Sequence, residues 1–328
     1  MLHLENLPVI TTMSATCLAS TSQRLPPLPT TSLHGALGHS LRNLAPDLFS
    51  VSGNAETGQG VTDSAPPPVI LAMEPPTLET PSAWNRHFLR RPFIELQKGD
   101  IITFRIVLLG EEARNKKFLL AAALERSFSS GIGVFSNHDR RKKNSRPPLL
   151  LTDLNEVFPP PQFNESSQYP TLPKKEVELN DQTKLKTQKE ADSQKYKLIF
   201  LSPARLTHQG KIAGDIDEKI LWAALLRRAD TLSRAYGNGP IDAPDGNKLL
   251  PSLWSASPPF TINSKNLEVI PVSRYSSRQR SRMTWPGLIG EINLELNPTS
   301  PALSILSFCE LAQIGKATSF GFGRYKIA

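Results

Sequence analysis

A histidine, two arginines and a lysine stand where they could move a proton and steady negative charge. In a helix over 33–44, at roughly 100° per residue, Leu33, Leu37, Leu41 and Leu44 gather on one side. That arrangement turns His39 outward with Arg42 one turn further on, an imidazole for proton transfer beside a fixed cation. His34 lies nearer the edge of the apolar stripe and reads as a boundary residue. The other cations belong to the C-terminal run Gly315-Lys316-Ala317-Thr318-Ser319-Phe320-Gly321-Phe322-Gly323-Arg324-Tyr325. Glycine has no Cβ, so this backbone can approach an anion and present its N–H groups, with Lys316 adding a point charge. Gly315, Ser319, Gly321, Gly323 and Arg324 are candidate contacts in the same loop. The same glycines also suit a helix cap and a tight entry into a strand. The run is neither the Walker pattern nor a GxGxxG fingerprint, which weakens a nucleotide-cofactor reading.

Two basic tracts extend this picture. Arg274, Arg278, Arg280 and Arg282 occur within nine residues that contain no acid. If the tract is extended, Arg278, Arg280 and Arg282 share one face and can pair with successive phosphates, although many such runs are only solvated surface. Arg140 and Arg141 open a second cluster, RRKK, in what reads as a loop. Lys and Arg together outnumber Asp and Glu by 38 to 30, giving a formal charge of +8 that favours polyanionic partners. Cys17 and Cys309 are the two cysteines, too few for a disulfide framework and without metal-ligand spacing; no metal is expected. Arg105 and Glu125 interrupt the longest apolar runs, and no signal peptide is read, so the expected setting is cytoplasmic with no membrane partner.

The elements that must position these residues are clearest in the C-terminal half. YKLIFLSP reads as a strand, and Asp217 caps a helix over 218–236 that ends before Gly237. NLEVIPV and LIGEINLEL read as strands, the latter with Leu288, Ile292, Leu294 and Leu296 on one face. Ser300 caps a helix with Pro301 at its first position, and FGRYKI closes the chain as a strand. The order β-α-β-β-α-β predicts a ferredoxin-like α+β domain. The N-terminal half reads similarly, with Thr31 or Ser32 capping the first helix, PPPVILAM and DIITFRIVLLG as strands, and KKFLLAAALERSF as the second helix. Both second helices run into glycines, so the chain looks duplicated. The expected domains are 1–155 and 196–328, joined by a polar, charge-dense linker or disordered insertion over 156–195. Residues 50–68 read as a second soft loop.

The segments SLHGALGHSLRNL, LQKGDIITFRIVLLG with LLAAALERSFSSGIG, LIFLSPARL, SRYSSRQRSRMTWPGLIGEINLEL and IGKATSFGFGRY occur in one order. In that order they resemble the CRISPR-associated endoribonucleases of the RAMP superfamily that process precursor crRNA. The resemblance covers most of the chain outside the linker. It implies tandem ferredoxin-like domains that bind CRISPR repeat RNA and cut it without metal or cofactor. The ribose 2′-OH attacks the neighbouring phosphorus, leaving a 2′,3′-cyclic phosphate and a 5′-OH, so DNA would bind uncut. It places His39 in proton transfer, with Lys316 or Arg42 as the cation. The implied partners are repeat RNA and CRISPR effector subunits, with a homodimer left open. Relatives often carry a histidine just before the glycine loop, where this chain has Gln313. The alternative is a subunit of an effector complex that holds RNA without cutting it.

Overall fold

The computed structural model describes residues 2–42, 44–48, 66–73, 89–91, 93–133, 146–157, 193–241, 257–276, 281–297 and 300–328. The first half begins with strand β1 (Ile10–Ala19), followed by helix α1 (Thr30–Leu41), β2 (Val69–Met73), β3 (Ile101–Leu109), α2 (Lys117–Ser129) and β4 (Leu149–Val157). Its sheet runs β2-β3-β1-β4, with every neighbouring pair antiparallel. The second half repeats the plan with β5 (Gln194–Ala204), α3 (Glu218–Tyr236), β6 (Phe260–Ser276), β7 (Ser281–Leu296), α4 (Pro301–Ala312) and β8 (Tyr325–Ile327). Its sheet runs β6-β7-β5-β8, again antiparallel throughout. Each half is therefore a βαββαβ unit with the same strand order, the tandem ferredoxin-like arrangement expected from the sequence.

Side-chain alternation explains how each sheet acquires its helices. On β1, Met13, Ala15, Cys17 and Ala19 share the inner face and pack with Leu33, Leu37 and Leu41 of α1, Phe104 and Ile106 of β3, and Leu120, Leu124 and Phe128 of α2. In the second half, Leu198, Phe200, Ile292, Leu294 and Leu296 form the sheet's inner face, against Leu221, Leu225 and Leu232 of α3 and Ile305, Leu306 and Phe308 of α4. The second core also takes in Ile70, Val107 and Leu109 from β2 and β3, together with Leu7 and Leu28. These first-half residues join the halves through buried apolar surface. The same junction has polar ties: the Asn6 carbonyl accepts from Ser233 Oγ at 2.8 Å and from the Asn238 amide at 3.0 Å. Gly237 makes this approach possible, because a Cβ there would lie 1.9 Å from the Asn6 oxygen.

Several sequence expectations change. The first helix starts at Thr30 and is preceded by Pro29, so neither Thr31 nor Ser32 caps it. Thr31 donates its hydroxyl to the Leu28 carbonyl instead. Leu44 lies beyond the helix and is 41% exposed, so only Leu33, Leu37 and Leu41 form the buried stripe. β1 and β4 were not anticipated as strands. Strand structure extends to Val157 and resumes at Gln194, so the ends of the expected 156–195 linker belong to sheets; 158–192 lies outside the described residues. Of the soft loop at 50–68, residues 50–65 lie outside them as well. Cys17 and Cys309 are free and buried in separate cores. Among the described residues no helix is long and apolar enough to cross a membrane.

Candidate nucleic-acid interface

The glycine loop is launched by a helix held at both ends. Ser300 Oγ accepts from the Ala302 amide at 3.2 Å, and Pro301 fills the first turn of α4 where its missing N–H is not needed. At the other end Arg228, from the buried face of α3, donates to the Ala312 carbonyl through Nη2 at 2.8 Å and to the Ala312 and Gln313 carbonyls through Nε at 3.1 Å. Burial lowers the Arg228 pKa to about 10, which leaves it protonated at neutral pH. A cation at a helix C-terminus meets carbonyls with no partner inside the helix, and it matches the sign of the dipole.

From there the loop crosses to the first half. Gln313 Nε2 donates to the Leu71 carbonyl of β2 at 3.2 Å, and Arg324 Nη1 donates to the Met73 carbonyl at 2.7 Å. Thr30, the first residue of α1, donates its hydroxyl to the Phe320 carbonyl at 2.7 Å. The glycines make this seating possible. A Cβ on Gly321 would lie 2.2 Å from Thr30 Oγ1, one on Gly323 would lie 1.8 Å from the Ile314 oxygen, and one on Gly315 would lie 2.6 Å from the Arg205 oxygen. All three have positive φ. The amides of Lys316, Phe320, Gly321 and Gly323 donate to carbonyls of Arg205, Ala317, Thr318 and Pro203. Tight packing, the second role open to these glycines from sequence, is thus displayed at each of the three. Lys316 is exposed, Ser319 is half-buried, and Arg324 is 4% exposed.

The seam brings some sequence-predicted residues together and separates others. His39 and Arg42 are exposed on the outer side of α1. The histidine in contact with the loop is His34, whose ring centroid is 3.8 Å from that of Phe320. About 140° of helix rotation separates the two histidines. The arginine tract is not one extended strand: Arg274 belongs to β6 and Arg282 to β7, and Tyr275 pairs with Arg282 where the hairpin approaches its turn. Arg278 and Arg280, like Arg140 and Arg141, lie outside the described residues. The hairpin itself is long. β5 pairs with β7 only from Leu288 onward, so 270–276 and 281–287 continue past the sheet as a two-stranded ribbon. Sequence reasoning passed over Arg228, Arg205 and Trp285. An arginine three residues after Leu225 in an otherwise apolar stripe was the available sign of Arg228's inward course.

The model of the family described as CRISPR-associated endoribonuclease Cas6 matches residues 198–325. Over those residues the chain is similar to the Cas6 endoribonucleases. The match contains most of β5, α3, the hairpin, α4 and the glycine loop, so the matched segment holds the loop and its Arg228 anchor, while the partners Thr30, Leu71 and Met73 lie outside it. Among solved structures, a Cas6 product complex superposes with a TM-score of 0.53 at 17% identity, over 98% of this chain and 99% of that one. Thermus thermophilus Cas6 gives 0.51 at 15% identity over 98% and 99%. A partial Cas6-RT-Cas1–Cas2 complex gives 0.52 at 12% identity, over 98% of this chain and 46% of that one. At these identities the likeness establishes the fold, and it extends the Cas6 arrangement through the first half. No curated protein matches the chain.

Proposed function

We propose that this chain binds CRISPR repeat RNA and cuts precursor crRNA at one phosphodiester without a metal ion. The observation that carries the proposal is the seam. The loop of the Cas6-matched half is fastened onto the first half, by Thr30 of α1, the helix bearing both candidate histidines, and by Gln313 and Arg324 on the carbonyls of β2. Lys316 stands exposed on that loop, and the ribbon carrying Arg274 and Arg282 departs from the same half. A histidine takes the proton of the ribose 2′-OH as its oxygen attacks phosphorus. The 5′-oxygen leaves, receives a proton, and a 2′,3′-cyclic phosphate remains. His39 is the first candidate for proton transfer, with Lys316 or Arg42 countering charge on the phosphorane; His34, against the loop, is the second. Arg274, Arg278, Arg280, Arg282, Arg140 and Arg141 are proposed to hold the backbone, and effector subunits are proposed further partners.

One observation favours the second reading, an RNA-holding subunit that does not cut. Gln313 occupies the place where relatives often have a histidine, and it is 1% exposed with its amide on the Leu71 carbonyl. Incubation of the purified chain with cognate repeat RNA in EDTA separates the readings. A defined cut leaving a cyclic phosphate supports the endoribonuclease, and stable binding with intact RNA supports the holding subunit. His34→Ala and His39→Ala, assayed separately, assign the proton-transfer group.

A further inference from the structure

A row of rings and one guanidinium crosses the seam, and apart from His34 none of them enters the proposed cleavage. Trp285, at the root of the projecting ribbon, lies edge-on to Phe320 of the loop, with centroids 5.4 Å apart at 87°. Phe320 in turn contacts His34 of α1. The Arg205 guanidinium sits 5.1 Å from the centroid of Trp285 and 5.9 Å from that of Phe322. Phe322 is fully buried, whereas Trp285, Phe320, His34 and Arg205 are only half-buried. A row meant only to seal the junction would be covered as Phe322 is. Arg205 Nη1 donates to the Pro286 carbonyl at 3.3 Å, while its buried Nε has no hydrogen-bond partner among the described residues.

We propose that Trp285, Phe320 and Arg205 form a stacking platform for one unpaired nucleobase of bound RNA. This rests on the repeat-RNA reading and adds where the strand is gripped. Every base has a π-face, and aromatic rings with an interleaved arginine are the usual means of holding a splayed nucleotide. The surroundings fit a single strand of RNA. Lys316 is exposed four residues before Phe320, so a phosphate beside a stacked base would meet positive charge.

The test is a binding cycle on a fluorescein-labelled single-stranded CRISPR repeat RNA from the host's own array, with abasic sites introduced one nucleotide at a time. Wild type, Trp285→Phe and Trp285→Ala are compared by anisotropy, with melting curves for each. Trp285→Ala is expected to weaken binding by about 5- to 100-fold, while Trp285→Phe stays within about threefold of wild type. One abasic position should reproduce the loss in wild type and add nothing further in Trp285→Ala, the signature of two partners in one contact. Should Trp285→Ala melt below the assay temperature, Trp285→Leu takes its place. Wild-type affinity in the truncated variant, or losses that multiply at every abasic position, overturns the platform. Cleavage of the intact repeat in EDTA is read separately. A wild type that shows the coupling without cutting refutes the endoribonuclease and leaves the platform standing, and one that cuts without coupling does the reverse. A wild type that binds no repeat RNA overturns both.

Discussion

Arg228→Met keeps most of the length of the buried arginine and removes its guanidinium. The perturbation is local: three N–H···O contacts vanish, and the Ala312 and Gln313 carbonyls lose a charged donor where α4 ends. An orphaned buried acceptor costs about 1–3 kcal/mol, so two give a gross loss of about 2–6 kcal/mol. Removing the charge also relieves its desolvation, whose size shows in the fall of the Arg228 pKa to about 10. A net loss of ~2–3 kcal/mol is expected. Urea unfolding followed by circular dichroism should show it as a lower midpoint at unchanged slope. Hydrogen exchange gives the second readout. Amides of Lys316 and Gly323, held by Arg205 and Pro203, should exchange about 30-fold faster as the loop loosens from its anchor. A variant within about 0.5 kcal/mol of wild type, with unchanged exchange at those amides, would refute the claim that Arg228 fastens the loop.

Other consequences follow from the same seam and its surroundings. Gly321→Ala places a Cβ 2.2 Å from Thr30 Oγ1 at a φ of +91°, and should cost about 2–4 kcal/mol in thermal unfolding; Thr30→Ala in the same chain should recover part of that loss. Burial raises the Glu310 carboxyl above its ordinary value of 4.5, against lowering by the Ile327 amide and by Arg105, Lys326 and Arg324. Between 4.5 and that raised value the folded chain holds more protons than the unfolded one, so stability falls as pH rises through this window. Glu310→Gln should flatten that dependence and be at least as stable as wild type at pH 7, as read from melting across pH. Replacing any one of Arg274, Arg278, Arg280 or Arg282 should flatten the slope of log affinity against log salt by roughly 0.7 for a single strand. An unchanged slope would return that arginine to solvated surface.

The second half was legible because each of its elements carries a local signal. Asp217 accepts from the Ile220 amide at 2.7 Å as a cap should, Ser300 caps α4, and alternation along 291–296 marks Ile292, Leu294 and Leu296 as the inner face of β7. The first half hid two of its four strands. β1 turns Met13, Ala15, Cys17 and Ala19 inward with Ser14, Thr16 and Leu18 between them, so its alternation is real but faint in hydrophobicity. β4 carries an irregularity opposite Thr16 and Cys17 that breaks its period at Thr152. The candidate site was legible in position more than in use. A glycine loop advertises space without saying what fills it, and here Thr30, Ile314 and Arg205 occupy the volume beside the three glycines. His34 looked like a boundary residue because its ring partner is Phe320, far along the chain. Periodicity within one helix cannot report such a contact.

In the proposed function the loop-and-helix seam holds a ribose-phosphate strand whose own 2′-hydroxyl cuts it. The most direct measurement compares two repeat RNAs in EDTA, one all-ribose and one with a single 2′-deoxy sugar at the mapped cleavage site. Equal affinity for both, with cleavage of the all-ribose strand alone and a cyclic phosphate on its product, is the predicted result. Cleavage of the deoxy-substituted strand at the same bond, or an all-ribose strand bound and left whole, would contradict it.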